Sequence, residues 1–159
     1  MSIGLSVLTP GAPGYEEAVE QVAALRITVF REWPYLYDGT VDFERWYIAK
    51  LAEAEGAIIV AAKDGDAVIG VSTGMPLLSE HEELIGPFSE YGFDPAEVFY
   101  GAETVTLPEY RGRGLYREEA VWERLGYRRV EGLTTGFSWK EIHEDAQSEK
   151  LMQFWVREL

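Results

Sequence analysis

Glu103-Thr104-Val105-Thr106-Leu107-Pro108-Glu109-Tyr110-Arg111-Gly112-Arg113-Gly114 is the stretch on which the reading of this chain turns. It begins as a strand that carries one carboxylate among apolar and β-branched residues. Pro108 stops the strand, since proline has no N–H to give a ladder. Gly112 and Gly114 then make a turn that opens a helix. A strand, a glycine turn and a helix N-terminus together hold phosphate well. The turn exposes backbone N–H groups, and the helix dipole favours an anion there. Arg111 and Arg113 add charged donors, and the glycines let the backbone approach a ligand closely.

Upstream, residues 4–8 read as a first strand, ended by Pro10-Gly11-Ala12-Pro13-Gly14. Residues 16–31 read as a helix with an apolar stripe of Ala18, Val22, Leu25 and Val29. Trp33 to Gly39 is an aromatic loop. Asp42 is expected to cap a second helix that buries Phe43, Tyr47, Leu51 and Ala54 and ends at Gly56. Residues 57–63 and 67–73 are expected strands, joined as a hairpin at Asp64-Gly65. Ser79 and Glu82 suggest a capping box for a short helix ended by Gly86-Pro87. Residues 98–107 form the strand before the glycine turn, and residues 112–127 one helix. Residues 133–139 and 151–156 are the last strands. The order gives one domain over 1–159, an α/β (α+β) fold with a mixed, largely antiparallel central sheet flanked by helices.

The chain has 159 residues, 47% of them hydrophobic and 13% aromatic, enough for a packed core. It contains no cysteine, which excludes disulfides, a cysteine nucleophile and thiolate metal sites. His81 and His143 stand alone, so no metal site is expected. The net charge of −14 disfavours binding to nucleic acid or to an anionic membrane. Such a surface attracts cationic solutes such as amines, and it also simply keeps a protein soluble. The longest aliphatic run, Ala57 to Ala62, is too short to span a bilayer. Without a basic segment at the N-terminus, a cytoplasmic location is expected.

Arg111-Gly112-Arg113-Gly114-Leu115-Tyr116 resembles the acyl-CoA motif of the GNAT family of N-acetyltransferases. That motif is Arg or Gln, two residues, Gly, one residue, then Gly or Ala; Tyr116 departs from it. Trp122-Glu123-Arg124-Leu125-Gly126-Tyr127 resembles the family's late Tyr-Glu-Lys-Leu-Gly-Phe segment. The resemblance implies acetyl-CoA as co-substrate, bound by Arg111, Gly112, Arg113, Gly114 and Leu115 and by backbone groups of Val105 and Leu107. It implies Glu103 as the base, with a pKa raised by desolvation, and an oxyanion donor in the N–H of Val105. Trp122 replaces the family's usual tyrosine acid, so Tyr116, or Tyr100, is the candidate donor. Trp33, Tyr35, Tyr37 and Asp38 fall where the family binds its acceptor, a small amine or amino-acid-like molecule. An aromatic-plus-acid loop suits a cation.

Each of these residues also has a plainer reading. Glu103 would pair with an arginine, Arg111 and Arg113 would be exposed turn charges, and the aromatic loop would pack on the core. The interval from Leu115 to Arg124 is also short: about ten residues make one helix of roughly 15 Å, while a strand plus crossover needs about a dozen. A helix half, a strand and a helix half of the family pattern are therefore expected to be missing, either through a true deletion that remodels the CoA cleft or because this sequence lacks a segment of its parent protein. Loss of the strand would leave an unpaired edge that invites a second copy of the chain. The alternative to an enzyme is an acyl-CoA-binding or protein-interaction module that keeps the fold without the chemistry.

Overall fold

The structure is a computed structural model and describes residues 3–111 and 127–158. β1 (Ile3–Val7), β2 (Ile58–Asp64), β3 (Ala67–Pro76) and β4 (Phe99–Thr106) form a four-stranded antiparallel sheet in that order. α1 (Tyr15–Phe30) and α2 (Val41–Glu53) pack on it. Val22 and Leu25 of α1 and Ile48 and Leu51 of α2 interlock with Ile59, Ala61, Val71 and Val105 of the sheet. Two residues, Gly65 at φ +64° and Asp66, join β2 to β3 where a hairpin was expected.

The last two strands leave this sheet. β5 (Arg128–Trp139) and β6 (Ser148–Val156) pair only with each other among the described residues, as a separate antiparallel ribbon. The ribbon packs on α3 (Glu82–Glu90) through a second core of Leu77, Leu84, Phe88 and Leu133. Among the described residues the expected sheet is thus divided, four strands and two, each part with its own core.

Three local expectations need correction. Thr40, not Asp42, caps α2: its hydroxyl accepts from the Phe43 N–H at 3.3 Å. The face that α2 buries is turned by one residue, with Glu44, Ile48 and Leu51 inside and Phe43 48% exposed. Pro87 does not end α3, which runs on to Glu90. An N–H at residue 87 would normally serve the carbonyl of residue 83. Here the Thr135 hydroxyl of β5 donates to the Glu83 carbonyl at 3.1 Å, so the helix continues past its proline.

Candidate functional site

Glu103 stands opposite Thr73 of β3, whereas Gly101 stands opposite Gly74, so Ala102 is an extra residue in β4. Such a bulge re-aims the side chains beside it. Tyr100 pairs with Met75, two residues from Thr73, so Tyr100 and Glu103 point to the same, helix-covered face. Uninterrupted alternation would place Gly101 on that face; the bulge sends it to the other one. Val105 and Leu107 do share the face with Glu103 and pack in or against the first core.

The carboxylate of Glu103 is not isolated. Its Oε2 is hydrogen-bonded to Nη1 of Arg26 on α1. Arg26 Nε in turn donates to Oε2 of Glu44 on α2 at 2.5 Å. The guanidinium lies 4.3 Å from the Tyr47 ring centroid and 5.0 Å from that of Phe30. Glu44 is fully buried, and the Glu103 side chain is only 9% exposed. Among the described residues, Oε1 of Glu103 has no hydrogen-bond partner, and neither has the adjacent buried Thr73 hydroxyl; the Tyr37 phenol faces the Glu44 carboxylate. The Tyr37, Tyr47 and Tyr100 phenols are all pushed up, chiefly by burial; Glu44 adds to the shift at Tyr37 and Tyr47, and Tyr47 to that at Tyr100. They therefore stay neutral and are weak proton donors.

Arg26 and Glu44 escaped the sequence reading because charges interrupt an apolar stripe. A signal was present: Arg26 lies four residues after Val22 and Glu44 four before Ile48, both on buried helix faces. Opposite charges on two such faces are candidates for a buried pair.

The backbone groups of β4 divide between its two edges. Leu107 N–H donates to Ile69 O of β3 at 2.9 Å. By strand alternation the amide of Val105 turns to β3 as well, while those of Thr104 and Thr106 turn to the outer edge. The backbone groups of Val105 and Leu107, which the resemblance implied for the cofactor, thus face β3. Among the described residues no strand pairs with that outer edge. Arg111 is an exposed charge after β4. Its Nε donates to the Thr106 carbonyl at 3.0 Å and its Nη1 meets Glu32 at 2.7 Å, which turns it back toward the end of α1. Gly112, Arg113, Gly114, Leu115, Tyr116 and Trp122 lie outside the described residues.

The four residues of the aromatic loop do not converge. Trp33 is 82% exposed. Tyr35 packs edge-on against Phe30, with centroids 5.1 Å apart, and its carbonyl accepts from the Trp139 indole at 2.9 Å. Tyr37 faces Glu44. Asp38 binds Lys140 at 2.9 Å and Arg31 at 3.3 Å, and the Lys140 hydrogen bond in particular holds its carboxyl below the usual range. The loop therefore ties α1 to the ribbon, and most of it is packed rather than open. No helix among the described residues is long and apolar enough to cross a membrane.

No protein-family model matches the sequence, and no curated protein matches it. Among solved structures, the chain is similar to AAC(6')-Iy in complex with the bisubstrate analogue CoA-S-monomethyl-acetylneamine, at 16% identity and a TM-score of 0.49. The alignment covers 72% of this chain and 64% of that one, so the chain spans less than two thirds of that neighbour's length.

Proposed function

We propose that this chain is an N-acetyltransferase of the GNAT kind, with acetyl-CoA as co-substrate and a small amine or amino-acid-like molecule as acceptor. The observation that carries the reading is Glu103: a nearly buried carboxylate at a bulge, with one oxygen unpartnered, just before the glycine-turn sequence. Bulges are common beside active sites because they re-aim a side chain.

The outer edge of β4 fits an amide-bearing arm, since Thr104 and Thr106 turn backbone groups toward it. The Thr106 carbonyl is already taken by Arg111, which leaves the Thr104 groups and the Thr106 N–H for that role. The sequence Gly112-Arg113-Gly114 is of the glycine-rich kind whose backbone N–H groups would hold a pyrophosphate. Acetyl-CoA provides the acetyl group as a thioester; a C–N bond forms on the acceptor as the C–S bond breaks, and CoA leaves as its thiolate. Glu103 Oε1 takes the proton that the acceptor nitrogen loses. Tyr116 is the remaining candidate to protonate the thiolate, because the raised phenol of Tyr100 is a poor donor. Exposed Trp33 offers the acceptor an aromatic face. The absence of cysteine and the charge of −14 suit a soluble cytoplasmic enzyme.

Glu103's bond to Arg26 favours a second reading, a module that binds acyl-CoA without turnover. Thermal shift and an amine panel separate the two. Acetyl-CoA at 100 times its Kd should add about 2.7 kcal/mol, a Tm rise of roughly 5–10 °C at this size. A nucleotide lacking the pantetheine arm should give much less. Transfer to at least one amine, cut at least about 100-fold in Glu103→Gln, supports the enzyme. A shift without transfer supports the binding module, and no shift at millimolar acetyl-CoA overturns both.

A further inference from the structure

We infer that Arg26 is a positioning residue for Glu103, and that Glu44 sets how much of the Arg26 charge Glu103 feels. The inference rests on the reading of Glu103 as the base. Three elements meet at one guanidinium: Arg26 comes from α1, Glu44 from α2 and Glu103 from β4. The fork of an arginine is rigid and planar. With Nε held by Glu44 and the plane lying against Tyr47 and Phe30, the direction of Nη1 is fixed. Nη1 pins Oε2 of Glu103, and Oε1 is left as the oxygen free to accept a proton.

A buried ion pair that served stability alone would have its remaining oxygens satisfied. Here Glu103 keeps an open oxygen among the described residues, beside the unpartnered hydroxyl of Thr73, while the Tyr37 phenol faces Glu44. The charges are also unequal: one guanidinium serves two carboxylates. Each therefore receives part of its stabilisation, and removing one gives the other the whole. Of the other titratable groups around Glu103, Tyr37, Tyr47 and Tyr100 are pushed up and neutral. Glu80 acts on Tyr47 and Tyr100 from the turn before α3, and Asp38 acts on Tyr37 from the loop. Asp38 is held by Lys140 and Arg31, and the charges linked to Glu103 by hydrogen bonds are Arg26 directly and Glu44 through the guanidinium.

The test is carboxyl NMR titration of the full chain labelled with carbon-13 glutamate, with Glu103 assigned through Glu103→Gln. Glu44→Gln keeps the side-chain shape and removes the competing charge, so the Glu103 midpoint should fall by about one unit. The low-pH limb of acetyl transfer, measured with acetyl-CoA and the best amine of the panel, should move with it. A purely structural Glu44 would lower Tm and leave both midpoints in place, which overturns the inference. The parent protein gives a second test that needs no variant. The Arg26 Nε–H signal should shift with the same midpoint as Glu103, and a signal that stays still as Glu103 titrates overturns the coupling. If the midpoints move but no amine is acetylated, the enzyme reading falls and the positioning role falls with it, while the charge coupling stands as measured.

Discussion

The four-stranded sheet and the β5–β6 ribbon handle charge in opposite ways. Beneath α1 and α2, Arg26, Glu44 and Glu103 are sealed among aromatic and aliphatic side chains. Around the ribbon, charge stays at the rim: Lys140 with Asp38, and Lys150 with Glu144 and Glu141, all partly in water. The same ion pair means different things in the two places. Water screens the rim pairs, so they adjust and contribute little. The buried cluster has no water to fall back on, so each partner depends on the others. Specific function is more readily built on the second kind, because its geometry cannot relax.

The sharpest way to break this contrast is to remove the central cation. Arg26→Met leaves two buried carboxylates unpaired, and loss of one partner from such a site costs about 3–5 kcal/mol. Urea denaturation should show a loss of that size, read as a drop in midpoint at constant slope. A loss under about 1 kcal/mol would mean that the cluster behaves like a rim pair.

Next in size is a neutral contact of the ribbon. Thr135→Val removes the hydroxyl that serves the Glu83 carbonyl next to Pro87. About 1 kcal/mol should be lost. Replacing Pro87 with Ala in the same background returns an N–H to that carbonyl and should recover most of the loss. Failure of the double variant to recover would show that Thr135 matters through packing in the second core instead.

Acid should reach the ribbon's rim in its own pH window. Glu144 accepts from the Ser148 hydroxyl at 2.6 Å, from the Glu141 N–H and from Lys150, and these bonds hold its carboxyl down to about 2. A group whose folded value is lowered stabilises above its unfolded value, 4.5 here, and loses that contribution as pH falls toward about 2. Glu144→Gln should therefore lower Tm at pH 7 and flatten its decline between about pH 4.5 and 2, so that parent and variant converge in acid. An unchanged acid slope would mean that the Ser148 and Lys150 bonds do not persist in solution.

What the sequence disclosed follows the same division. The strand that carries Glu103 was legible because apolar and β-branched residues run up to a proline there. The Asp64-Gly65 hairpin was legible because turn chemistry is local. The bulge was not, since Gly101 and Ala102 leave no mark on an alternating pattern. Arg26 and Glu44 were passed over because each breaks a stripe on its own helix and is explained only by the other. Pro87 was misread as a stop because its remedy, Thr135, is 48 residues further along the chain. The separation of the ribbon had no local sign at all, as strand partners are chosen by packing.

The smallest effect is expected where the loop meets the ribbon. Asp38→Asn removes the charge held by Lys140 and Arg31, at side chains between 38% and 55% exposed. An asparagine oxygen can still accept from Lys140, and the Asp38 N–H keeps its bond to the Lys140 carbonyl at 2.9 Å. Exposed pairs gain little from charge, so Tm should stay within about 2 °C of the parent at neutral pH. The pH dependence gives the sign: the Asp38 carboxyl is held low, so what it contributes is present above the ordinary carboxylate range and lost in acid. Parent and variant should therefore converge as pH falls. A variant that loses far more, or whose deficit persists in acid, would show that Asp38 is not a rim charge but part of what fixes the loop against the ribbon. The contrast between buried and exposed clusters would then have to be drawn by connectivity rather than by water.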